Sequence, residues 1–171
     1  MRSFRAGDEY SLATNANHRE IWRNLKDTFP HPYTIDNARW WVAENKGQTP
    51  PQHLAIVVDD MVVGGIGIEL KPDIWRFSAE LGYWLGPEYW GRGLMTSVLR
   101  VVVEYAFDTF DINRLWAGAF VWNAGSMRVL EKAGFVYEAR LQKSAFKDGE
   151  FVDEVIYAIV RPYRGTSTSS Q

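Results

Sequence analysis

Residues 81–94 of this 171-residue chain, Leu-Gly-Tyr-Trp-Leu-Gly-Pro-Glu-Tyr-Trp-Gly-Arg-Gly-Leu, run from a strand-like segment through a two-glycine turn into an amphipathic helix. Period sets the helix: Val98, Val101, Val102 and Tyr105 recur at the i, i+3, i+4, i+7 spacing of one buried stripe, with Arg100 and Glu104 between them. That spacing puts Gly91 and Gly93 at the helix N-terminus. Glycine lets a backbone approach a ligand closely, and the first amides of a helix have no partner within it. The turn therefore predicts a cradle for an anion, phosphate above all.

Two familiar phosphate loops fail on residues. A P-loop ends in Gly-Lys-Ser/Thr, whereas here Arg92 separates the glycines and Leu94-Met95 follow. A dinucleotide fingerprint needs a third Gly or Ala where Thr96 stands, and it belongs in the first strand–helix unit rather than halfway along a chain.

The remaining pattern, Glu88-x-x-Gly91-x-Gly93, resembles the acyl-coenzyme A pyrophosphate loop of the GNAT N-acetyltransferases, Gln/Arg-x-x-Gly-x-Gly/Ala. The flanks agree. Ala79-Glu80-Leu81-Gly82-Tyr83-Trp84-Leu85 before it, and Asn123-Ala124-Gly125-Ser126 with Gly134-Phe135 after it, are similar to the RimJ/RimL-like branch of that family. So are residues 21–27 followed by 29–34. Glu88 departs from the family's Gln or Arg, so the resemblance does not carry direct side-chain help to the pyrophosphate over to that position.

Composition adds exclusions. With 46% hydrophobic residues the chain is long enough to bury one sizeable core. A formal net charge of −2 leaves no electrostatic footprint for direct nucleic-acid binding. No apolar run reaches the ~18 residues of a membrane span, and the amino terminus shows no apolar signal region, so the expectation is a cytoplasmic protein. With no cysteine there is no disulfide and no acyl-cysteine route, and His18, His31 and His53 lack metal-ligand spacing.

The order of elements reads as helices over 17–27 and 36–46, the second opened by Asp36 as cap, then a hairpin of 54–58 and 61–70 turning at Asp59-Asp60. A strand at 78–85 precedes the central helix. A strand at 115–121, a short helix at 126–133 closed by Gly134, and strands near 137–146 and 151–160 turning at 147–150 complete the set. This is an α/β order, read as a three-layer fold with a mixed, mostly antiparallel central sheet flanked by helices. Residues 1–164 form a single domain, and the Ser/Thr-rich 165–171 read as a disordered tail.

The resemblance implies an acyl-coenzyme A cleft between splayed strands, one ending at Leu85 and one beginning near Leu115. Pantetheine would lie along the edge of the Gly82 to Leu85 strand, its acetyl thioester ending near Tyr83, Trp84 and Leu85, where a backbone N–H would stabilise the developing oxyanion. The pyrophosphate would rest on Gly91, Arg92, Gly93, Leu94, Met95 and Thr96. Acetyl-coenzyme A is then the co-substrate, with no metal. Many GNAT enzymes place a tyrosine acid on the short helix, but here that position is Leu130, and Ser126 is implied against the cofactor sulfur, with Asn123 as a cofactor contact and helix cap. For the base, Glu80 is the first choice: it lies on the strand feeding the loop and points opposite to Leu81 and Leu85. Glu69 is the reserve, and the plainer reading of Glu80 pairs it with Arg76 or Arg114.

The acceptor is an amine. An α-amine of pKa near ~8 is about a tenth neutral at neutral pH, whereas a lysine amine at ~10.4 is neutral in well under one part in a thousand. A weak base therefore favours a protein or peptide amino terminus, with small amines beside it. The protein is read as a monomer or homodimer. The alternative from another class is a catalytically inactive acyl-coenzyme A-binding sensor or interaction module, kept open by the missing tyrosine.

Overall fold

Two apolar faces on one set of strands decide the architecture. In the computed structural model, which describes residues 1–162, the elements follow in the order β1 (Arg2–Ser3), α1 (Glu9–Ala16), α2 (Arg19–Trp22), α3 (Ile35–Asn45), β2 (His53–Val58), β3 (Met61–Leu70), β4 (Ser78–Leu85), α4 (Leu94–Thr109), β5 (Arg114–Phe120), α5 (Ala124–Lys132), β6 (Val136–Lys147) and β7 (Glu150–Val160). The seven strands form one sheet in the order β1-β2-β3-β4-β5-β7-β6. Neighbours are antiparallel except β4 and β5, which the α4 crossover makes parallel.

On one face α4 packs Val98, Leu99, Val102, Val103 and Ala106 onto strand residues such as Ile68, Leu81 and Leu115. On the other face, Leu12 of α1 and Ala38 and Val42 of α3 close over Ala55 and Val62. Each Val, Leu or Ile among them taken fully from water contributes about 1.5–3 kcal/mol, so a helix layer is needed on both sides. The β2–β3 hairpin closes through Asp59 and Asp60 at φ 49° and 64°, the left-handed pair that a two-residue turn between twisted strands requires.

Several local expectations are corrected. Val101, placed on the buried stripe of the central helix by spacing, is 58% exposed; Leu99 and Val103 occupy the stripe instead. The helix expected over 17–27 is the single turn α2, capped by His18, whose Nδ1 accepts the Glu20 N–H at 3.3 Å. The next helix opens at Thr34 rather than Asp36. Thr34 Oγ1 accepts the Asn37 N–H at 3.3 Å while Asn37 Oδ1 accepts the Thr34 N–H at 2.8 Å, a reciprocal capping box. Helix α1 and strand β1 were not anticipated. The tail expected at 165–171 lies outside the described residues. No described helix is long and apolar enough to cross a membrane.

Candidate active site

The turn before α4 has the backbone a cradle needs. Gly91 and Gly93 sit at φ 72° and 76°, where a side chain is strained, and a Cβ on either would meet open space. The α4 ladder starts with the Ser97 N–H donating to the Gly93 carbonyl at 3.1 Å, so the amides of Leu94, Met95 and Thr96 stand ahead of it. Burial of Met95, Val98 and Leu99 in the core fixes the direction in which those amides point. Arg92 does not line the cleft beside them; its guanidinium leans over the Tyr89 ring, 5.9 Å from the centroid.

Next to the cradle the sheet comes apart. β4 and β5 pair from Ser78↔Arg114 to Glu80↔Trp116 and no further, although β4 runs on to Leu85 and β5 to Phe120. Gly86 donates its N–H to the Val63 carbonyl at 2.7 Å, and the Ser78 carbonyl accepts from Lys71 at 3.0 Å, so even-numbered residues of β4 turn towards β3. By alternation the main-chain groups of Tyr83 and Leu85 turn into the gap. The Leu85 carbonyl is already engaged by the Trp90 indole N–H at 2.7 Å. The gap opens into a cleft of about 680 Å³ lined by both strand ends, the glycine turn, the start of α5 and residues 20–26.

The two faces of the gap differ chemically. On the α4/α5 face, the Tyr83 hydroxyl lies 2.7 Å from Ser126 Oγ, and the Asn123 side chain caps α5 by accepting the Ser126 N–H at 3.0 Å. Leu130, the position at which the resemblance implied a tyrosine acid in many GNAT enzymes, is fully buried in the core. The opposite face carries the carboxylates, because Glu80, Trp116, Gly118, Ile156 and Glu154 follow one another on the same side through the strand register.

Glu80 is half-buried, and neither Arg76 nor Arg114 is its partner. Lys71 Nζ lies 2.6 Å and Lys26 Nζ 2.9 Å from its oxygens, while Arg114 pairs with Glu138. Burial alone would push the Glu80 carboxyl up, but hydrogen bonds from Lys71 and Lys26 together with their charge hold it below the ordinary range. Glu69 stays at the surface, bridged to Lys26 at 3.2 Å. A second carboxylate on the strands of the cleft is Glu154 on β7, which the sequence reading missed. Burial raises its pKa, the nearby negative charge of Glu80 raises it further, and Lys26 opposes both. Its side chain lies over Gly118, where any Cβ would collide with it. A carboxylate in the apolar run 151–160, facing a mid-strand glycine at 118, was the available signal.

A seven-stranded mixed sheet, opened beside a glycine-primed helix start, defines an acyl-transferase type of scaffold. Residues 1–136 match the acetyltransferase (GNAT) domain family, and the chain belongs to that family. The probable N-acetyltransferase YjcK of Bacillus subtilis is 33% identical over 135 residues, 76% of this chain and 75% of that one. The putative ribosomal N-acetyltransferase YdaF of the same organism is 30% identical over 106 residues, 62% of this chain but 57% of its own length. Among solved structures, RimL, a ribosomal L7/L12 α-N-protein acetyltransferase in complex with coenzyme A, superposes with a TM-score of 0.78 at 20% identity, covering 94% of this chain and 92% of that one. That likeness shows the fold.

Proposed function

We propose that this chain transfers the acetyl group of acetyl-coenzyme A directly to a primary amine in a ternary complex, the acceptor being the α-amine of a protein or peptide. The observation that carries this reading is the gap between β4 and β5, unpaired beyond Glu80↔Trp116 and chemically different on its two faces. The residues fit the co-substrate: strand-edge main chain for the pantetheine amides and free helix-start amides for the pyrophosphate. The RimL-like neighbour, named for α-amine acetylation, supports the acceptor class.

In this reading the amides of Gly91 and of Leu94–Thr96 hold the pyrophosphate, and Tyr83 and Leu85 take the arm as an added strand. A main-chain N–H of that segment faces the acetyl carbonyl, where such a donor contributes about 3–4 kcal/mol to the transition state. Glu154 accepts the proton of the attacking amine, directly or through water. Its raised pKa brings it nearer to that of an α-amine, which improves proton transfer. Glu80, kept ionised by two lysines, serves as the fixed charge that holds Glu154 up rather than as the base itself. Ser126 hydrogen-bonds the departing sulfur from the other face, and Asn123 sets its place.

The test is thiol release from acetyl-coenzyme A with a panel of peptides and small amines. Turnover should be fastest with peptide α-amines and slow with lysine side chains. Tight binding of acetyl-coenzyme A without turnover across the panel would instead make the protein an idle acyl-coenzyme A module.

A further inference from the structure

Tyr83 enters the reading above only through its main chain, yet its side chain ends at the leaving-group position. It alternates with Leu81 and Leu85 onto the α4/α5 face and is largely buried there. Its Oη lies 2.7 Å from Ser126 Oγ and 3.5 Å from the Ser126 carbonyl oxygen. We propose that Tyr83 is the positioning residue for the leaving-group donor: its phenol donates to Ser126 Oγ, which leaves the serine proton directed at the sulfur of the departing thiol. This rests on the acetyl-transfer reading and adds to it the residue that orients the serine.

The number of hydroxyl protons decides which group donates. A serine hydroxyl has a single hydrogen. If it is given to Tyr83, none remains for sulfur; if Tyr83 donates, Ser126 accepts with a lone pair and keeps its own hydrogen for the cleft. The phenol is the more acidic group and hence the better donor of the two. Burial pushes its pKa up to about 12, so it remains protonated wherever the enzyme is assayed. The Ser126 main chain is pinned independently by Asn123, so the hydroxyl is fixed from two sides.

During transfer the amine nitrogen bonds to the acetyl carbon, and its proton goes to Glu154. The carbon–sulfur bond then breaks with its electron pair on sulfur, and the thiolate leaves within hydrogen-bond reach of the Ser126 hydroxyl. Neither Ser126 nor Tyr83 changes protonation state.

A double-mutant cycle on kcat tests this. Y83F should lose about tenfold in kcat, the worth of one oriented hydrogen bond. Its KM for acetyl-coenzyme A should stay within about twofold, because the bond forms to charge that develops after binding. S126A should lose at least as much, and adding Y83F to S126A should cost nothing further. Full kcat in Y83F, a loss confined to KM, or a loss that multiplies that of S126A would each overturn the proposal. Should Y83F not fold, 3-fluorotyrosine at position 83 preserves shape while acidifying the phenol: kcat rises if the phenol donates, and an unchanged or lower kcat overturns the proposal. Basal hydrolysis of acetyl-coenzyme A expels the same thiolate. The cycle can therefore be read even if no amine is accepted, which separates failure of this proposal from failure of the acceptor reading.

Discussion

The Glu154 carboxylate lies across the surface of β5 in the space that Gly118 leaves by having no side chain. β7 residues reach the cleft only by crossing β5, and a methyl group at 118 blocks that crossing. G118A is therefore expected to displace Glu154 and lower kcat/KM by about 100-fold, the same loss expected of E154Q, with acetyl-coenzyme A affinity unchanged. Initial-rate kinetics beside calorimetric titration of the cofactor checks both halves. A fully active G118A would remove Glu154 from the mechanism.

The two carboxylates also set a pH dependence. A base must be unprotonated, so kcat/KM rises with pH through the elevated pKa of Glu154. In E80Q the negative neighbour is gone while Lys26 still opposes protonation of Glu154, so the ionised form of Glu154 is favoured. The acidic limb of the profile should move to lower pH. If Glu80 is itself the base, E80Q abolishes the limb together with most of the activity.

At the cradle, Gly93 caps α4 at φ 76° with open space around a would-be Cβ. A substitution there is penalised by backbone conformation rather than collision. G93A should cost about 1 kcal/mol in a denaturant titration and weaken acetyl-coenzyme A binding several-fold as the amides tilt away. Unaltered affinity would show that the pyrophosphate does not rest on this turn.

Placing at 130 the tyrosine acid that the family resemblance implied should not help. Leu130 has no exposed surface, and its surroundings include Phe135 and the helix and strand residues of the main core. L130Y overpacks this site at a cost of about 1–3 kcal/mol and gives no gain in kcat. Thermal melts with parallel rate measurements decide the point.

What the sequence made legible was local. Gly91 and Gly93 before an apolar stripe, and Asp59-Asp60 between two β-branched runs, each encode their geometry within a dozen residues, and the structure places the turn and the hairpin there. Helix α1 buries only Leu12 and Ala16, and α2 only Ile21, so neither carries enough periodic signal to be bounded without its tertiary partners. Glu154 was hidden for a related reason. Its approach to Gly118 and Glu80 depends on the β5–β7 register, a pairing between segments more than thirty residues apart. The lysines that hold Glu80, Lys26 and Lys71, come from two separate loops that both precede it in the chain, and no spacing rule links them.

The early end of the β4–β5 pairing has one further consequence. Unmated strand rims usually lie at the border of a sheet, where they invite other chains to add on and aggregate. Here the bare rim is internal, screened along its length by the opposing strand and open only to something slender enough to slip between them. The molecule thus keeps a template for β-type recognition within its own sheet rather than at its border.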